Sequence, residues 1–256
     1  MQLKTFNVYD NSNKAVQEAY DMLTAKIHID NSQKKQKTFA LTSCNPEEGK
    51  TSLAISLSIS MAHSGWKVLL VDADMRKPTA AKRLNKGSQL GLSDYLSGKI
   101  EFNESISETN ITNLTYLSCG SDYINPVELL CSLRFQELLD KAQSRYDFVL
   151  FDTPALESVV DGAIVASKTE ATLLVVEMGS TSLKSIKRAK EQLEDLNANL
   201  IGVVLNKVKK RDYKRYLGSY NYFFNTERFF NKEAKENHMP SDNGTPENVV
   251  SSGNMS

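Results

Sequence analysis

The run Cys44-Asn45-Pro46-Glu47-Glu48-Gly49-Lys50-Thr51-Ser52 holds the residue types with the most obvious chemistry. It follows the pattern G-x-x-x-x-G-K-[ST], with cysteine in the first glycine position. In a strand–loop–helix setting, consecutive backbone N–H groups and the positive helix end surround phosphate oxygens. Gly49 lets the backbone approach closely, Lys50 reaches the terminal phosphates, and the Thr51 hydroxyl is placed to ligate magnesium. Asn45 through Ser52 is therefore the expected phosphate-contact segment. Cys44 denies the loop the conformations open only to glycine. Glu47 adds a negative charge close to the phosphates, and its side chain is expected to face solvent.

Two carboxylate sites follow. The apolar run Val68-Leu-Leu-Val71 ends in Asp72-Ala-Asp74-Met-Arg76, and Phe148-Val-Leu-Phe151 ends in Asp152-Thr-Pro154. An acid at the end of a strand beside a phosphate loop commonly holds magnesium through water. Either acid alone is as readily a turn or cap residue; loop and acids at one sheet edge point to a nucleoside triphosphate with Mg2+.

These side chains need a scaffold. Short, nearly all-apolar strands are expected at 38–43, 67–72, 114–118, 147–152, 172–177 and 200–205. Helical patterns separate them at 51–63, 126–145, 161–167 and 183–196, with a leading helix at 16–29 and a polar linker after it. The alternation predicts an α/β fold: a doubly wound, mostly parallel sheet with helices on both faces, its ligand beyond the carboxyl ends of the strands. Residues 79–112 read as polar with scattered helical pieces. The expected organisation is a helix and linker over 1–37, a nucleotide-binding domain over 38–210, a tyrosine cluster over 211–230 and a disordered tail over 231–256.

The 256 residues carry 31 basic and 31 acidic side chains, and this balance gives no global field toward nucleic acid or anionic lipid. No apolar run approaches the roughly 20 residues of a membrane span, so a cytoplasmic protein is expected. Three cysteines without metal-ligand spacing read as reduced, packed thiols.

The loop, Asp72-x-Asp74-x-Arg76 and Asp152-Thr-Pro154 together resemble the bacterial tyrosine kinases of exopolysaccharide and capsule synthesis. Asn125-Pro-x-Glu-Leu-Leu130, Arg145-Tyr-Asp-Phe-Val149 and Gly202-Val-Val-Leu-Asn-Lys207 extend the resemblance over residues 14–225. It implies ATP- and Mg2+-dependent autophosphorylation of a C-terminal tyrosine cluster, here Tyr213, Tyr216, Tyr220 and Tyr222. The alternative for that cluster is aromatic packing on the domain, with Phe223 and Phe224 beside it. By the same resemblance Lys50 and Thr51 bind phosphate and magnesium, and Asp72 and Asp152 serve the metal. Asp74 orients or deprotonates the attacking tyrosine, a role that Asp72 and Asp74 could exchange. Arg76 either stabilises transferring charge or pairs with a neighbouring acid. Asn206 either holds the adenine ring or simply ends its strand.

Implied partners are a membrane polysaccharide co-polymerase that activates the kinase and recruits it to the inner membrane face, further copies of the chain, and a cognate tyrosine phosphatase. No nucleic acid is expected. The family's ring-forming Glu-x-x-Arg-x-x-Arg helix reads here Glu18-Ala-Tyr-Asp21-Met-Leu-Thr24, which removes or reverses the intersubunit ion pair. The other functional classes compatible with the motifs are a partitioning-type switch ATPase and a nucleotide-binding scaffold.

Overall fold

The computed structural model describes residues 14–76, 90–120 and 125–209, with side chains from residue 16 onward. The tyrosine cluster, the 231–256 tail and most of the polar stretch before Leu90 lie outside the described residues. The described chain runs α1 (Lys14–Asn31), β1 (Thr38–Ser43), α2 (Lys50–His63), β2 (Val68–Asp72), α3 (Leu92–Leu96), α4 (Phe102–Ser105), β3 (Ile106–Glu108) and β4 (Leu114–Leu117). It continues through α5 (Pro126–Cys131), α6 (Leu133–Arg145), β5 (Phe148–Asp152), α7 (Asp161–Lys168), β6 (Ala171–Glu177), α8 (Leu183–Asp195) and β7 (Leu200–Asn206).

The strands form one sheet in the order β3-β4-β2-β5-β1-β6-β7, parallel except for β3 against β4. Every residue of β1, β2 and β5 is buried, because helices cover both faces of these central strands. One core layer sets Leu69, Phe151 and Leu174 against Phe135 and Leu138 of α6. On the other face, Phe39, Leu70 and Val175 meet Leu53 and Leu57 of α2, with Ile27 of α1. At the sheet edge β7 alternates between half-buried and exposed positions, as a strand with one neighbour should.

The sequence pattern anticipated these strands and most of the helices closely, but two features differ from it. The helix expected over 126–145 breaks at Ser132, whose backbone is extended (φ −69°, ψ 160°). The Ser132 hydroxyl donates to the Leu129 carbonyl at 2.7 Å, giving the backbone an alternative to continuing the helix. The short antiparallel strand β3 lies within the stretch read as polar with helical pieces. Three half-buried or exposed edge residues leave little hydrophobic periodicity to detect.

The leading helix is fastened to α2 by polar as well as apolar contacts. Ser60 donates to Asp21 Oδ1 at 2.7 Å, and its oxygen lies 2.9 Å from the Thr24 hydroxyl. The polar stretch after α1 is also tied down: Glu170 Oε2 accepts from the N–H groups of Lys37 and Thr38. Lys26 pairs with Asp30 one turn along the same helix, at 3.1 Å.

Candidate active site

Strand β1 ends at Ser43, and the chain loops over 44–49 before α2 begins at Lys50. Two left-handed residues shape that loop, Glu47 (φ 65°) and Gly49 (φ 91°). Two features favour glycine at position 49: its φ lies in the left-handed region, and a Cβ there would lie 2.2 Å from the Asn206 amide nitrogen. Gly49 is also the N-cap of α2, and no side chain caps the helix. The first N–H groups of a 14-residue helix thus keep their capacity for an anion, and Lys50 and Thr51 stand at that end.

Glu47 is exposed, whereas Glu48 is buried inside the loop. The Glu48 carboxylate accepts from the backbone N–H of Asn45 at 3.0 Å and from its side-chain amide at 2.9 Å. It also accepts from the Thr181 hydroxyl, in the loop between β6 and α8. The Glu48 carbonyl takes a hydrogen bond from the Asn206 side chain at 2.9 Å. Asn206 therefore meets the back of the phosphate loop at the end of β7. The Cys44 thiol is pushed up to about 12, by burial first and then by the Glu48 charge.

The register of β2 on β5 pairs Asp72 with Asp152, setting the two acids side by side at the carboxyl ends of adjacent strands. Both are almost fully buried, at 1% and 2% exposure. Burial, then the neighbouring Asp152, push the Asp72 carboxyl well above the usual carboxylate range. Asp72 accepts from the Asp74 N–H at 3.1 Å and from the buried Tyr116 hydroxyl at 3.4 Å. Two crowded carboxylates and a threonine hydroxyl are hard oxygen donors, which suit magnesium. The donor set fits: a divalent cation between loop and strand ends would relieve the repulsion that raises Asp72. When bound with a nucleotide, that cation supplies charge neutralisation at the phosphates.

Asp74 is buried two residues beyond Asp72. Arg76 makes a two-pronged ion pair with Asp161, its Nε donating at 2.7 Å and its Nη2 at 3.1 Å. Asp161 is buried in the first turn of α7, so the guanidinium neutralises an acid in the protein interior. Of the two readings of Arg76, this geometry is the ion pair with a neighbouring acid.

The loop, Asp72, Asp74 and Asp152 thus meet along the carboxyl edge of β1, β2 and β5. Sequence reasoning did not find the inward turn of Glu48, its partner Thr181, or Tyr116 behind Asp72. No sequence motif marks them, because each acts across a large gap in the chain.

Residues 36–204 match the family model described as an AAA domain. The chain is 35% identical over 196 residues to the tyrosine-protein kinase CpsD of Streptococcus pneumoniae, covering 76% of this chain and 86% of that protein. The tyrosine-protein kinase YwqD of Bacillus subtilis is 33% identical over 199 residues, with 78% and 84% covered. The kinase domain of the Escherichia coli tyrosine kinase Etk superposes with a TM-score of 0.74 at 32% identity, covering 76% of each chain.

This chain belongs to the bacterial tyrosine kinase family. It is a protein-tyrosine kinase on a P-loop nucleotide-binding fold, and the fold extends to more distant ATPases. The septum site-determining protein MinD of Pyrococcus horikoshii, at 22% identity and a TM-score of 0.57, shares the architecture alone. Among the described residues, no helix of this kinase is long and apolar enough to cross a membrane.

Proposed function

We propose that this kinase transfers the terminal phosphoryl group of Mg·ATP to its own C-terminal tyrosines, Tyr213, Tyr216, Tyr220 and Tyr222, and thereby regulates exopolysaccharide or capsule synthesis and export. The observation that carries this reading is the in-register pairing of buried Asp72 and Asp152 beside the uncapped start of α2. Lys50 and the α2 N-terminus hold phosphate oxygens, while Thr51, Asp72 and Asp152 hold the metal, Asp72 and Asp152 through water. Asp74, at the same strand end, orients the attacking phenol or accepts its proton, and Asp72 is the alternative for that step. Phosphoryl transfer gains most from positioning and charge neutralisation, which this constellation supplies.

Four tyrosines within ten residues, in a stretch that also holds Lys214 and Arg215, offer the acceptor hydroxyls. A membrane polysaccharide co-polymerase is the expected activator, bringing the kinase to the inner face of the membrane, and a tyrosine phosphatase resets it. Asp21 and Thr24 are engaged with Ser60 of the same chain, so self-association relies on surfaces other than the usual arginine pair.

The test is incubation with γ-labelled ATP and Mg2+, with and without the activator, followed by mass spectrometry of the C-terminal peptides. Label on Tyr213 to Tyr222, absent in Lys50→Met and Asp152→Asn, is the expected result. Release of free phosphate with unlabelled protein would instead identify a switch ATPase.

A further inference from the structure

The phosphate loop is braced from outside by a residue far away in the sequence. Glu48 is 3% exposed, yet it places a carboxylate inside a loop whose task is to attract anions. Left to itself that charge repels phosphate and is costly to bury. It is held by three donors: the Asn45 N–H, the Asn45 amide and the Thr181 hydroxyl. The first two belong to the loop and travel with it. Thr181, 133 residues further along the chain, anchors the carboxylate to a different element.

Thr181 is itself fixed. Its hydroxyl accepts from the Glu177 N–H at 3.0 Å, and its own N–H donates to the Glu177 carbonyl at 3.1 Å. The single hydroxyl proton is therefore directed at Glu48. Glu177 ends β6, and its carboxylate receives Lys207 Nζ at 2.9 Å. Asn206, next in line, spans the gap in both directions: its side chain reaches the Glu48 carbonyl and its carbonyl accepts from Met178 N–H at 3.0 Å. The phosphate loop, the β6–α8 loop and the end of β7 thus close one ring of hydrogen bonds.

We propose that Thr181 is a positioning residue for nucleotide binding: through Glu48 it holds the phosphate loop in the conformation that presents its N–H groups and Lys50 to the phosphates. Thr181 touches no reacting atom. Its hydroxyl keeps the Glu48 carboxylate turned inward, away from the phosphates. Without it, the carboxylate loses the anchor that the described residues supply from beyond the loop and swings toward the anion site. The inference rests on the loop being the ATP site.

The experiment compares wild-type, Thr181→Val and Thr181→Ser proteins. ATP affinity is measured by calorimetry with Mg2+, KM and kcat by peptide phosphorylation, and stability by thermal unfolding without nucleotide. Valine keeps the shape and removes the hydroxyl; serine keeps the hydroxyl. A hydrogen bond to a charged group is worth enough that Thr181→Val is expected to weaken ATP binding and raise KM about tenfold. The expected kcat stays within about twofold, Thr181→Ser restores affinity, and Thr181→Val melts a few degrees lower without nucleotide while staying folded at the assay temperature. Equal ATP affinity in Thr181→Val and wild type overturns the proposal. Equal losses in the valine and serine variants, or a kcat that falls as far as KM rises, overturn it as well. If wild type itself fails to bind ATP, the nucleotide reading of the loop falls, and this proposal with it.

Discussion

At the residue scale, the site is built from groups held against their own preference. Asp72 and Asp152 are neighbours in register and both buried, and repulsion and desolvation leave Asp72 more basic than an ordinary carboxyl. A folded-state pKa raised above the unfolded value adds stability that is complete below the unfolded pKa and lost as pH rises through the folded one. Metal-free protein should therefore weaken as pH climbs through the elevated Asp72 pKa. Asp72→Asn removes the charge, so it should flatten that slope and raise metal-free stability at neutral pH by about 0.5–2 kcal/mol while abolishing phosphoryl transfer. Urea unfolding across pH, beside a kinase assay, tests both halves. Cys44 illustrates the same electrostatics. With its pKa near 12, it carries almost no thiolate at pH 8, whereas Cys131 is exposed. Iodoacetamide at pH 8 should label Cys131 first and leave Cys44 unmodified in native protein, as read by peptide mass spectrometry.

At the scale of elements, α1 deserves comparison with the helix that builds rings in the resembled family. The positions that would carry arginines there are Asp21 and Thr24 here, and both turn to Ser60 on α2. Polar residues that would reach a neighbouring subunit instead fasten the helix to its own domain, beside the apolar contact of Ile27 with the α2 side of the sheet. Ser60→Ala removes both bonds and should cost about 1–2 kcal/mol, since one of them involves a carboxylate. Denaturant unfolding measures the loss, and amide exchange in α1 should accelerate more than in β1 or β5. The break at Ser132 has a similar local origin: one hydroxyl on the Leu129 carbonyl divides an expected helix into α5 and α6.

Across the whole molecule, the site is assembled from segments near residues 50, 72 and 152, joined only by the order β2-β5-β1 in the sheet. A ligand that bridges them stabilises the native state alone. At one hundred times its Kd, Mg·ATP should add about 2.7 kcal/mol to unfolding free energy. Differential scanning calorimetry should show that rise in wild type and its absence in Lys50→Met. The brace from Thr181 and Asn206 extends this assembly to the far edge of the sheet, immediately before the segment that leads to Tyr213.

The amino-acid sequence by itself determined the parallel α/β order, because buried strands must be nearly all apolar and the helices between them keep a 3.6-residue period. It also determined the phosphate loop and the two acid-bearing strand ends, because their chemistry depends on fixed local spacing. It left Arg76 open between two partners, and only the approach of α7 supplied Asp161. Glu47 and Glu48 are adjacent and chemically identical in sequence, yet one faces water and the other lies buried in the loop. The buried carboxylate meets two donors on Asn45 and a third on Thr181, 133 residues away, and no local pattern can announce that third partner. The tertiary structure decided it by bringing together the end of β6 and the start of α2, where a carboxylate can be buried only if donors meet it.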